Sequence, residues 1–155
     1  MRNILLLLLL LFCASLATAQ TSLTPAQRQA ILDYQLTMPK VISLTGAMEA
    51  LSKYLSTLPI SQERGLRLAT MSPAELRALT EKDPRAMGIL TQNGLTATEY
   101  LVGTAALTMA YTIAATSVKN NPAIFASPAN VAFAKANLAQ LKPRMDAVRS
   151  AARGK

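Results

Sequence analysis

From Thr96 to Val118 the chain reads TATEYLVGTAALTMAYTIAATSV. Thr96 is a helix N-cap and Glu99, three residues on, can reach back to it, so a helix begins here. Between Tyr100 and Val118 there is no charged residue. A helix that is apolar on every side either faces lipid or lies at the centre of a bundle. Thr104, Thr108, Thr112, Thr116 and Ser117, two tyrosines and Gly103 dilute the run. The central position in a bundle is therefore expected. Ala106, Ala110 and Ala114 form a ridge of small residues that would let a second helix approach closely.

The same punctuation occurs at three other places. Thr24-Pro25-Ala26-Gln27, Ser72-Pro73-Ala74-Glu75 and Ser127-Pro128-Ala129-Asn130 each place a hydroxyl before a proline. The hydroxyl accepts from an orphan N–H of the first turn, and proline at the first helical position has no N–H to lose. Asp83-Pro84 opens another helix, so the one from Ser72 stops near Lys82, and Asn93-Gly94 is a stop with Gly94 suited to a left-handed conformation.

After Thr24 the apolar residues Ile31, Tyr34, Met38, Val41, Leu44, Met48, Leu51, Leu55 and Leu58 recur at steps of three or four, one stripe down a helix. Pro39 interrupts it, so a kink or break is expected near Thr37 to Lys40. Asn120-Asn121-Pro122 closes the central helix. After Ser127 a second stripe runs through Val131, Ala134, Leu138, Leu141, Met145 and Val148, with a kink expected at Pro143. No alternating strand pattern persists. The expected class is all-α: a compact bundle of three long, partly proline-kinked helices with two or three short ones.

The N-terminus predicts export. Arg2, the apolar run Ile4 to Phe12 and Ala17-Thr18-Ala19 make a secretory signal peptide cleaved after Ala19. That leaves residues 20–155 as a single helical domain, periplasmic or secreted. The only cysteine, Cys13, falls in the leader, and the chain has no histidine. Lipidation at Cys13 is not expected, because Phe12 replaces the small residue such a signal needs.

These absences narrow the chemistry. Zinc would have to do without Cys or His, and the methionines form no close cluster for copper, so neither metal nor cofactor is expected. Of the eight acids, Glu75 and Glu99 belong to caps, as does Asp83. Glu49 is the most interesting of the rest, lying on a long helix with no acidic neighbour within a turn. A pocket holding Glu49 or Glu63 beside a basic residue would mark an enzyme, whereas a continuous core would mark a binding module. No nucleophilic Ser has a base in a recognisable motif, and no glycine-rich loop could cradle a phosphate. The expected function is non-catalytic.

The formal charge of +8 gives solubility and attraction to anionic surfaces. Lys135, Lys142 and Arg149 recur every seven residues beside the last apolar stripe, with Arg144, Arg153 and Lys155 adding charge. No acid on the first long helix is placed to pair with them. Lys135, Lys142, Arg149 and Arg153 form a candidate strip for an anionic surface or partner protein, peripheral membrane contact included. Specific nucleic-acid binding is not expected, because the tyrosines do not interleave with the charges.

Leu23-Thr24-Pro25-Ala26-Gln27, followed by Arg28, resembles the LTxxQ motif of small helical periplasmic stress proteins. The resemblance spans about five residues, and Leu95-Thr96-Ala97-Thr98-Glu99 is an imperfect second copy. It implies a chaperone that cradles unfolded clients as a helical homodimer, an alternative to the binding role above.

Overall fold

A computed structural model describes residues 23–58, 71–120 and 124–153. The leader, Cys13 and Glu63 lie outside the described residues. Every regular element described is a helix: α1 Pro25–Asp33, α2 Met38–Thr57, α3 Pro73–Glu81, α4 Pro84–Gln92, α5 Ala97–Thr116, α6 Pro128–Ala136 and α7 Leu138–Ala152.

The helices start where local chemistry dictates. Thr24, Ser72 and Thr96 close full capping boxes with Gln27, Glu75 and Glu99. Ser127 Oγ accepts from Asn130 N at 3.2 Å. Asp83 Oδ1 accepts from the N–H groups of Arg85 and Ala86 at 2.9 and 3.1 Å. α4 ends as expected: Gly94 has φ of 70°, Leu95 N–H reaches Leu90 O and Gly94 N–H reaches Thr91 O, both at 2.9 Å. This Schellman motif satisfies two orphan carbonyls and puts Leu95 against the core.

α5 is the axis of the bundle and packs against all six other described helices. Gly103, Thr104, Ala106, Leu107, Met109 and Ala110 are buried in succession, which explains why no face of this helix carries charge after Glu99 in its first turn. Ala106 and Ala110 are closed off from water, and Ala114 at the end of the ridge is partly covered. α5 packs most extensively against α6, while α2 pairs with α7. Gly103 marks another close approach: a Cβ there would stand 2.9 Å from Leu44 Cδ2 and from the Tyr34 ring. The buried Thr104 hydroxyl returns its hydrogen bond to Tyr100 O in the preceding turn. No described helix is long and apolar enough to cross a membrane.

The long helices are more divided than the stripes imply. The first is two helices, α1 and α2, separated by Tyr34 to Thr37. Pro39 does not kink a continuous helix. It occupies the first turn of α2, capped by Thr37 Oγ1, which accepts from Lys40 N at 3.5 Å. The extended link buries Leu36, and Asn130 from α6 holds it: Asn130 Oδ1 accepts from Leu36 N–H at 2.9 Å and Nδ2 donates to Tyr34 O at 2.6 Å. Asn130 is 2% exposed.

The last helix also divides, at Asn137 rather than Pro143. Asn137 leaves helical geometry (φ −111°, ψ 14°) and its Nδ2 donates to Phe133 O at 2.8 Å. Pro143 lies inside α7. Pro143 and Ala139, whose carbonyl loses its intrahelical partner, are both exposed, so water can take that carbonyl. α5 likewise ends before Asn120-Asn121-Pro122, at Thr116, with Ser117 in the left-handed conformation (φ 56°). Asn120 instead pairs through both side-chain atoms with the backbone of Ala126, at 3.1 Å each.

Candidate functional site

The four residues of the basic strip are divided between two helices, Lys135 on α6 and the other three on or at the end of α7. Lys142, Arg149 and Arg153 share a face of α7, since steps of seven and four residues bring side chains back to nearly the same azimuth. Lys135 is exposed on α6, beyond the break at Asn137. The break therefore separates Lys135 from the other three in secondary structure, while backbone hydrogen bonds from Asn137 N–H to Phe133 O and from Leu141 N–H to Asn137 O run across it.

An acid stands among the three. Asp146 Oδ2 lies 2.9 Å from Lys142 Nζ and Oδ1 lies 3.1 Å from Arg149 Nη1. Its hydrogen bond with Lys142 leads the effects that hold the Asp146 carboxyl below the usual range, and the same bond raises Lys142. Arg149 also sits over the Tyr111 ring of α5, 5.8 Å from its centroid. The face therefore carries three cations and one anion. The Lys142–Asp146 pair is legible in the sequence as an i,i+4 spacing on one helix.

The other acids among the described residues are engaged locally. Glu49 accepts from Lys53 at 2.6 Å, Glu81 lies 3.5 Å from Arg77, and Asp33 accepts from Gln29 at 2.8 Å. Glu75 and Glu99 close their capping boxes. Backbone and hydroxyl bonds from Thr96 lead in holding Glu99 low. Asp83 is lowered chiefly by the Ala86 N–H, and its second oxygen accepts from Tyr54 Oη at 2.9 Å. Among the described residues, no group of three His, Cys, Asp or Glu could hold a metal ion.

Tyr54 belongs to a feature that sequence reasoning missed. An open groove of about 520 Å³ runs between α2 and α4, lined by Ala50, Lys53, Tyr54, Arg85, Gly88 and Ile89, with Thr57 and Gln92 at its edges. Arg85 lies over the Tyr54 ring, 4.9 Å from its centroid. Glu49 pairs with Lys53 on the rim but is not part of the lining. Cations also lie over rings elsewhere among the described residues, Arg28 over Phe125 at 4.0 Å and Lys40 over Tyr34 at 4.6 Å.

No family model matches the chain, and no curated protein or solved structure does. The Leu23 to Gln27 segment that resembles the LTxxQ motif forms the capping box of α1.

Proposed function

We propose that this is an exported, non-catalytic helical protein that works by binding, with the α7 face of Lys142, Arg149 and Arg153 set against an anionic lipid surface. One observation carries the reading. Each described carboxylate is engaged in a cap, an ion pair or a side-chain hydrogen bond. Cations outnumber acids two to one along the chain, and on this face the single carboxylate pairs with Lys142 and Arg149 and leaves Arg153 outside the pair. Excess positive charge on an exposed helix face attracts a polyanionic surface over roughly a Debye length, about 8 Å at physiological salt.

The test is co-sedimentation of the protein with vesicles of phosphatidylethanolamine and phosphatidylglycerol. Binding is expected at low ionic strength and is expected to disappear as salt rises. The triple variant Lys142→Gln, Arg149→Gln, Arg153→Gln should lose most of it, while Lys135→Gln, on another helix, should lose little. Equal binding by the triple variant and the parent would sink the proposal.

A further inference from the structure

The stop that ends α4 joins two residues with a chemistry of their own. Asn93-Gly94 is the chain's single Asn-Gly dipeptide. In a flexible chain this pair loses its amide spontaneously. The Gly94 nitrogen attacks Asn93 Cγ, so that an N–C bond forms, the Cγ–Nδ2 bond breaks, and Nδ2 leaves as ammonia with the proton that Gly94 gives up. Water then opens the five-membered imide to aspartate or isoaspartate. Glycine adds no side chain to hinder the attack and lets the backbone bend as the ring requires.

Both partners in that step are held in the folded chain. The attacking nitrogen is engaged, because Gly94 N–H donates to Thr91 O at 2.9 Å. The leaving group is engaged as well, because Asn93 Nδ2 donates to Ile89 O at 2.9 Å. That second bond turns the side chain back along α4, while the Gly94 nitrogen lies ahead of it in the chain. The neighbouring helix makes this placement possible. A Cβ on Gly46 of α2 would stand 2.6 Å from Asn93 Oδ1. Glycine at position 46 therefore leaves the room in which the amide lies, where α2 packs on α4.

We infer that Asn93-Gly94 is a deamidation site that the fold holds closed, with Gly46 as the residue that permits the closure. The amide is lost when the last turn of α4 opens locally, without unfolding of the bundle. The products cannot close again in the same way. A carboxylate has no N–H for Ile89 O and would set two acceptors against each other. Isoaspartate carries the chain through Cγ, one carbon longer, and breaks the turn at Gly94. The change is one-way and loosens the end of α4 from α2. It is independent of the α7 face and of the vesicle reading.

The test holds the full protein at mildly alkaline pH, folded in buffer or unfolded in guanidinium chloride, and follows Asn93 by peptide mapping with mass spectrometry. The folded chain should react at least about tenfold more slowly, since two hydrogen bonds must break first. Gly46→Ala should raise the folded rate roughly threefold to tenfold, because its Cβ displaces the amide and frees Nδ2. The displaced group is the tip of a flexible side chain and alanine favours helix, so this variant should melt near the parent. Asn130→Ala weakens the bundle elsewhere and should leave the folded rate unchanged, which separates local opening from global unfolding. The comparison of folded with unfolded parent decides the matter even if Gly46→Ala fails to fold. Equal rates in the folded and unfolded parent, no acceleration in a folded Gly46→Ala protein, or equal acceleration by Asn130→Ala would each overturn the inference.

Discussion

Tyr100 opens α5 with its ring turned into the bundle, and burial pushes its phenol well above the ordinary value of 10.0. Tyr34 moves the same way, through burial first and the Glu99 charge second. The sign of the consequence follows from linkage. Below pH 10 both states keep the proton and the contribution to stability is complete. As pH rises past 10 the unfolded chain ionises first, so stability falls until the folded phenol also ionises. Thermal melts between pH 8 and 11.5 should show an alkaline loss, and Tyr100→Phe should remove much of it. An unchanged alkaline slope in that variant would refute the assignment. None of this was legible in the sequence, where Tyr100 only begins the uncharged run that ends at Val118.

At the scale of elements, the legible features were those decided within four residues. Thr24, Ser72, Thr96 and Ser127 cap helices because a hydroxyl and an N–H three positions on need no help from the rest of the chain. Breaks inside long stripes are different. Asn137 and Pro143 both disfavour continuation, and only packing chose between them. The split before α2 depends on a side chain of α6, far away in sequence. The groove escaped for the same reason, because Tyr54 and Asp83 meet only in the folded bundle. Two substitutions test this level. Ala110 is fully buried where α5 serves as the axis, so Ala110→Leu should overpack it and cost roughly 1–3 kcal/mol in urea denaturation. Pro143 is exposed inside α7. Pro143→Ala restores a backbone bond at the expense of a looser unfolded chain, and should stabilise by about 1–2 kcal/mol. A destabilised Pro143→Ala protein would mean that the proline ring packs in a way its exposure does not suggest.

Among the described residues, the molecule is an apolar axis wrapped by six helices whose acids are largely spent on caps and pairs. The class and the central position of α5 were legible because an uncharged stretch of that length has few other places to go. The α7 face was legible as a spacing but not as a composition, since Asp146 tempers it. That carboxylate offers a direct test of the proposed role. Asp146→Asn removes the only anion among the three cations, so affinity for anionic vesicles should rise and its salt dependence steepen. Affinity that stays level would place the bound surface elsewhere on the protein. Removal of a half-exposed, surface-paired carboxylate should leave the melting temperature nearly unchanged.

The Asn130 clamp also bears on the order in which the protein assembles. Its two hydrogen bonds join residues 94 and 96 positions apart, and Arg28 on Phe125 ties α1 to the segment before α6. Closing a loop of that length costs about 4 kcal/mol of chain entropy beyond a constant. The local hairpins of helices need no such closure, so α1 and the link after it should dock after the folding barrier has been crossed. Asn130→Ala strands the Leu36 N–H and the Tyr34 carbonyl, and should cost about 2–4 kcal/mol at equilibrium. In a chevron plot that loss should fall almost wholly on the unfolding limb, with the refolding limb barely displaced. Refolding slowed in proportion to the lost stability would instead put the joining of these two distant segments inside the nucleus, and α1 among the first parts of the bundle to form.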